Sequence, residues 1–241
     1  MITIADIHKN FEGNEVLHGI SATFGEGKTN LVIGRSGSGK TVLLKCIVGL
    51  LAPEQGQVLY DGRDIHRLTG HENTLLRQEM GMLFQGAALF DSMNVLHNVL
   101  FPLKMFSSKT HREQLDRARF CLDRVGLIDV EKKMPSELSG GMQKRVAIAR
   151  AIALEPRYLF CDEPNSGLDP ISSRIIDNLI SDITHEYGIT TIVNTHDMAS
   201  VRTIGEQILF IHNGNAEWTG TSTDLDTTSS PTLNEFIGSS A

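Results

Sequence analysis

The 241-residue sequence predicts an α/β fold: a parallel sheet carrying a helical insertion. Three observations support this. Short apolar runs of strand length (29–33, 158–161 and 189–194) alternate with longer runs of helical period. The first of them leads into a glycine-rich turn and then a helix-length apolar run, the order of a strand–loop–helix unit. Between about 86 and 154 the pattern is mostly helical, which makes that stretch the insertion.

In chain order, residues 1–33 alternate as strands do: Ile2, Ile4 and Ile7, then Val16, Leu17 and Ile20, then Thr29 to Ile33. The run 42–51 reads as a helix ended by Pro53. Residues 57–60 followed by Asp61-Gly62 predict a strand entering a tight turn, and 81–85 a short buried strand. Charges over 109–124 mark a solvated face. Residues 142–154 form an uninterrupted helical run stopped before Pro156. The strand 158–161 ends at Asp162-Glu163. Pro170 suits the first turn of a helix whose expected buried face is Ile171, Ile175, Leu179 and Ile183, and Gly188 stops that helix. Residues 219–232, rich in Ser, Thr, Gly and Asp, read as a loose connection before an apolar segment at 233–237.

Composition narrows the function. Hydrophobic residues make up 40% and charged residues 21%, ordinary values for a globular protein. The net charge of −7 argues against nucleic acid and against an anionic membrane surface as direct partners. No apolar run approaches the roughly 20 residues needed to span a bilayer, and the first residues do not read as a secretory signal. Cys46, Cys121 and Cys161 lie far apart in apolar surroundings and are expected to be reduced core residues.

The chemistry concentrates in three places. Gly34-Arg35-Ser36-Gly37-Ser38-Gly39-Lys40-Thr41 fits G-x-x-x-x-G-K-[ST], a pattern that arises by accident on the order of once per hundred chains of this length. Its glycines let backbone approach a phosphate, Lys40 neutralises β- and γ-oxygens, and Thr41 ligates Mg²⁺. Asp162-Glu163, ending an apolar strand, offers one carboxylate for a water-mediated metal and one for an attacking water. Ser139-Gly140-Gly141 opens a long helix and is a second place where bare N–H groups face an anion. Alone, the last two are as readily a pair of exposed charges and a serine-capped helix.

Their order changes that reading. The phosphate loop, Gln85, LSGGMQKR, YLFCDEP, SGLD and His196 follow one another as in the ATP-binding-cassette (ABC) ATPases, which the chain resembles over nearly its whole length. The resemblance implies a single P-loop NTPase domain over 1–241. Its RecA-like core lies at about 1–85 and 155–241, with an N-terminal antiparallel β subdomain and an inserted helical subdomain at about 86–154. It also implies ATP and Mg²⁺ as ligands and ATP hydrolysis as the activity. Two copies would then hold ATP head to tail, the loop of one facing Ser139, Gly140 and Gly141 of the other. Gln85 corresponds to the residue touching Mg²⁺ and the attacking water, Asp169 to a residue at the subunit boundary, and His196 to the γ-phosphate sensor. Phe11 has the position of the aromatic that stacks on adenine, and equally that of a staple of the N-terminal sheet.

The segments 82–103 and 134–156 resemble one branch of the family, the ATPases of bacterial phospholipid transporters that work with mammalian-cell-entry (MCE) proteins. That implies an integral permease and an MCE-type lipid-binding protein as partners, and residence on the cytoplasmic face of the bacterial inner membrane. Ala87, Ala88, Leu89, Phe90 and Met93 then read as lining for a permease helix or as core of the helical subdomain. An importer of amino acids or another small solute would share every catalytic residue. An iron–sulfur assembly scaffold is the alternative outside transport.

Overall fold

A computed structural model describes residues 1–239. The first half of the chain runs β1 (Ile2–Phe11), β2 (Asn14–Phe24), β3 (Thr29–Ile33), α1 (Lys40–Ile47), β4 (Gln55–Tyr60), β5 (Arg63–Asp64), α2 (Gly70–Gln78), β6 (Met80–Leu83), α3 (Val95–Phe106) and α4 (His111–Arg124). It continues through α5 (Gly140–Ala151), β7 (Tyr158–Asp162), α6 (Pro170–Tyr187), β8 (Thr190–Thr195), α7 (Met198–Ile204), β9 (Gln207–His212), β10 (Asn215–Gly220) and α8 (Pro231–Ser239).

Two sheets result. The smaller is antiparallel, in the order β2-β1-β4-β5. Its first hairpin turns at Glu12-Gly13, both at positive φ (51° and 86°), the combination whose twist matches that of paired strands. The larger has the order β10-β9-β3-β8-β7-β6 and is parallel except for β10. Parallel strands are covered on both faces, and here alternate residues supply the two covers. Leu31, Ile33, Leu159, Cys161 and Val193 join one core with the helical layer. Val32, Tyr158, Phe160 and Ile192 join the other, with α1 and the small sheet. The carboxyl ends of β3, β7 and β8 lie side by side on one edge, where ligands of open α/β sheets bind.

The insertion packs α3, α4 and α5 on one another. Each starts at a side-chain cap: Asn94 accepts from His97 N–H, Thr110 shares a reciprocal capping box with Glu113, and Ser139 accepts from Met142 N–H. All three cysteines are buried and free, and burial pushes the Cys46 and Cys121 thiols up to about 11.

The structure departs from the sequence reading at four points. α1 ends at Ile47, short of Pro53, because Gly49 (φ 71°) turns left-handed and Leu50 N–H bonds back to Lys45 C=O at 2.9 Å. β6 stops at Leu83, where a turn closed by Ala87 N–H on Phe84 C=O begins. α2 was not anticipated, although Thr69 and Glu72 form a capping box legible in sequence. The buried face of α6 is Ile176, Leu179, Ile180 and Ile183, whereas Ile171 and Ile175 are 76% and 49% exposed. Residues spaced four apart drift about 40° around a helix at each step, so such a series leaves one face within a few turns.

Candidate functional site

The phosphate loop connects the end of β3 to α1. Gly34 has φ 152°, and a Cβ there would run into the Ile211 carbonyl and the Ser38 hydroxyl. Gly39 has φ 105°, and its Cβ would lie 2.8 Å from Leu17 Cδ2. Both positions therefore require glycine. Gly39 caps α1 without any side-chain bond, so the N–H groups of the first turn stay open toward the groove. Lys40 folds back over the loop, its Nζ donating to the carbonyls of Gly34 (2.7 Å) and Arg35 (3.1 Å). It also lies 3.7 Å from a Glu163 carboxylate oxygen. Burial holds the Lys40 ammonium below the usual lysine value, with Glu163 and Asp162 opposing that fall.

The neighbouring strands bring up the acids. Asp162 ends β7, where its Oδ1 accepts from Thr41 Oγ1 at 3.2 Å and from Asn194 Nδ2 at 3.1 Å. Glu163 follows at φ 47°, a left-handed conformation uncommon for glutamate and of the kind that clusters at active sites. Its carboxylate is within hydrogen-bond distance of His196 Nδ1, at 2.9 Å, and its N–H donates to Asn194 C=O at 3.0 Å. Gln85 donates from Nε2 to Ser166 Oγ at 3.3 Å. Ser36, Gly37, Lys40, Thr41, Gln85, Glu163 and His196 line one groove of about 260 Å³. Among the described residues, the buried Ser38 hydroxyl and Asn194 side-chain oxygen have no hydrogen-bond partner. The Thr41 hydroxyl and the Asp162 carboxylate, 3.2 Å apart, offer two oxygens suited to a hard divalent cation such as Mg²⁺.

The second glycine pair sits elsewhere. Ser139 caps α5 by accepting from Met142 N–H at 3.3 Å, Gly140 is exposed and Gly141 is half-buried. Gly141 abuts Ser172 on α6, whose cap is Asp169, accepting from Ile171 and Ser172 N–H. None of Ser139, Gly140, Gly141 and Asp169 lines the phosphate-loop groove, and neither does Phe11. Phe11 ends β1 at 43% exposure, with the Lys9 ammonium 5.4 Å from its ring centre.

The ABC transporter family profile matches residues 17–166 of the chain. This chain belongs to the ABC transporter ATPase family. Among curated relatives, the probable ribonucleotide transport ATP-binding protein Mkl of Mycobacterium tuberculosis is 36% identical over 98% of this chain. The chain spans 66% of that relative's length, just under two thirds. The methionine import ATP-binding protein MetN of Clostridium acetobutylicum is 38% identical over all of this chain and 75% of its own length. The intermembrane phospholipid transport ATP-binding protein MlaF of Haemophilus influenzae is 42% identical over 83% of this chain and 76% of its own length. Of solved structures, the dimeric form of a bacterial ABC transporter cassette superposes with a TM-score of 0.84 at 32% identity, covering 92% of this chain and 99% of that one. A post-hydrolysis dimer bound to ADP and Pi superposes at 0.83 with 31% identity, again covering 92% and 99%.

The chain is thus an ABC ATPase domain with a P-loop NTPase fold, and its nucleotide is ATP with Mg²⁺. Two groove residues carried no functional signal in the sequence reading. They are Val16 and Val42. Nor did Asn194 carry one; it lies outside the groove lining and holds Asp162. Asn194 lies two residues before His196 at the end of a buried strand, a position that could have marked it. Val16 is one of many strand valines and had no such mark. Of the apolar residues after Gln85, Ala88 and Phe90 line a second groove of about 290 Å³ with Phe84, Phe101 and Arg150. Ala87 is buried, and Leu89 and Met93 are half-buried.

Proposed function

We propose that this chain is the ATP-hydrolysing subunit of a phospholipid transporter and that it works as a head-to-tail pair. The observation that supports the pair is the split between the two anion-reading elements: the phosphate loop lines a groove that contains no part of the 139–141 turn. A second copy supplies that turn across the nucleotide. Ile171, 76% exposed next to Ser172, leaves an apolar side chain on the same edge.

Within each site, Lys40 exchanges the Gly34 and Arg35 carbonyls for the β- and γ-oxygens of ATP. Thr41 and Gln85, with Asp162 through a water, would hold Mg²⁺, which would neutralise phosphate charge. Glu163 orients a water on the γ-phosphorus and accepts its proton as the bond to the ADP oxygen breaks. His196, 2.9 Å from Glu163, keeps that carboxylate in place and senses the γ-phosphate. Ser139, Gly140 and Gly141 of the other copy close on the γ-phosphate, Asp169 stands at the boundary, and Phe11 stacks on adenine.

For the cargo, phospholipid is supported by the 42% identity to MlaF and by the wording of 82–103 and 134–156. The groove with Phe84, Ala88 and Phe90 would receive a permease helix, and an MCE-type protein would carry the lipid beyond the inner membrane. Residence at the cytoplasmic face of that membrane follows from those partners. The comparable match to MetN favours methionine import as the second reading. Purification with its membrane partners distinguishes the two. Recovery of a permease and an MCE protein, with ATPase activity responding to phospholipid, is expected. A response to methionine instead would refute the lipid assignment.

A further inference from the structure

α5, capped by Ser139, turns two cations toward the loop that follows β6: Lys144, which is buried, and Arg150, which is half-buried. Lys144 is 5% exposed, and its ammonium donates to the backbone carbonyl of Gln85. Among the described residues, no carboxylate reaches ion-pair distance of it. Burial lowers its proton affinity, against the pull of Cys161, Asp162 and Glu163. Arg150 donates through one guanidinium nitrogen to Ala88 C=O at 2.8 Å and through the other to Ala87 C=O at 3.0 Å.

The backbone so held is unusual. Ala87 and Ala88 are consecutive non-glycine residues at φ 60° and 50°, a conformation that costs of order 1 kcal/mol or more each and persists only where the surroundings impose it. Burying a lysine against a single carbonyl is also a poor way to gain stability, since an apolar side chain would fill the space without desolvating a charge. Three carbonyls within four residues, at 85, 87 and 88, are nevertheless gripped by two cations of one helix. The only conspicuous polar side chain on that stretch is Gln85, which faces the phosphate-loop groove.

We propose that Lys144 and Arg150 are positioning residues that fix the 85–88 backbone and thereby aim the Gln85 amide into the ATP site. Because both sit on the helix whose start is the 139–141 turn, movement of that helix is passed to Gln85 directly. The inference rests on the assignment of Gln85 to the hydrolytic site.

The test is a double-mutant cycle on the purified full-length chain, read by steady-state ATPase kinetics across Mg²⁺ concentration. Lys144→Met is expected to lower kcat by roughly tenfold to a hundredfold, the scale of a misplaced group, while KM for ATP moves less than about threefold. Lys144→Gln, which retains a donor, should recover most of the rate. Combined with Gln85→Ala, Lys144→Met should add little further loss, as expected for residues acting through one group. Losses that multiply in the double variant, or a Lys144→Met enzyme within about twofold of wild type, overturn the proposal. If Lys144→Met does not fold, Arg150→Met gives the same cycle, since it removes the donors to both carbonyls. A Gln85→Ala variant as active as wild type would refute the Gln85 assignment itself, a result distinct from failure of the clamp.

Discussion

The phosphate loop and the 139–141 turn are both glycine-bearing helix starts, yet the chain builds them in opposite ways. At the first, Gly39 gives α1 no side-chain cap, and the surrounding groups converge from three strands on the open N–H groups. Lys40 is buried and already bonded to the loop's own carbonyls. At the second, Ser139 caps α5 itself, Gly140 is exposed and Gly141 half-buried, and their neighbours are Leu168 and, on α6, Ser172. One end is preorganised for an anion within the chain. The other is finished locally, and under the proposed function it meets an anion only when a second copy brings the nucleotide to it. Binding and hydrolysis should therefore respond to mutation separately.

The largest expected effect tests the first end. Glu163→Gln should bind ATP but hydrolyse it roughly 10²–10⁴-fold more slowly, the usual range for loss of a general base, and should accumulate as an ATP-bound dimer on gel filtration. Normal turnover would remove Glu163 from the mechanism. Next, Ser139→Arg should leave ATP affinity of the monomer unchanged and lower hydrolysis by about a hundredfold, as loss of phosphate-contacting donors does. Isothermal titration and phosphate release read the two halves of that prediction, and normal hydrolysis would show that the turn is not part of the site.

A third contrast runs along α6, which carries the 139–141 side into the core. Ile176→Ala should destabilise the chain by about 2–5 kcal/mol, as large-to-small core changes do. Ile171→Ala should stay within about 0.5 kcal/mol in denaturant unfolding without nucleotide, because its side chain is mostly in water. Equal losses would place Ile171 in the core after all. The smallest effect is expected at Phe11: its change to Ala should weaken ATP binding by about fivefold, roughly 1 kcal/mol of base stacking. Unchanged affinity would leave Phe11 a staple of the small sheet, where Lys9 already covers it.

Much of the site was legible from residue order alone. The phosphate loop is a contiguous eight-residue pattern, and the pair Asp162-Glu163 is read where an apolar strand stops. Elements without a local signature were harder. α6 is legible from Pro170 and Gly188, and its spacing finds Leu179 and Ile183 of the buried face, whereas Ile171 and Ile175, apolar and equally spaced, lie in the first two turns at the surface. Lys144 and Arg150 read as ordinary charges of a helical run, and nothing in their spacing reports that both turn inward.

By itself the sequence determined the alternation of strands and helices, the glycines that only a close backbone approach requires, and the order of motifs that names the family. These properties belong to short stretches, set by periodicity and by which side chains a turn excludes. The tertiary structure alone decided which carbonyl Lys144 reaches, which oxygen of Asp162 Thr41 and Asn194 share, and that the 139–141 turn stands apart from the loop it resembles. Those facts depend on how β3, β7 and β8 pair and on where α5 and α6 pack against them, and such long-range pairings leave no mark on any single segment.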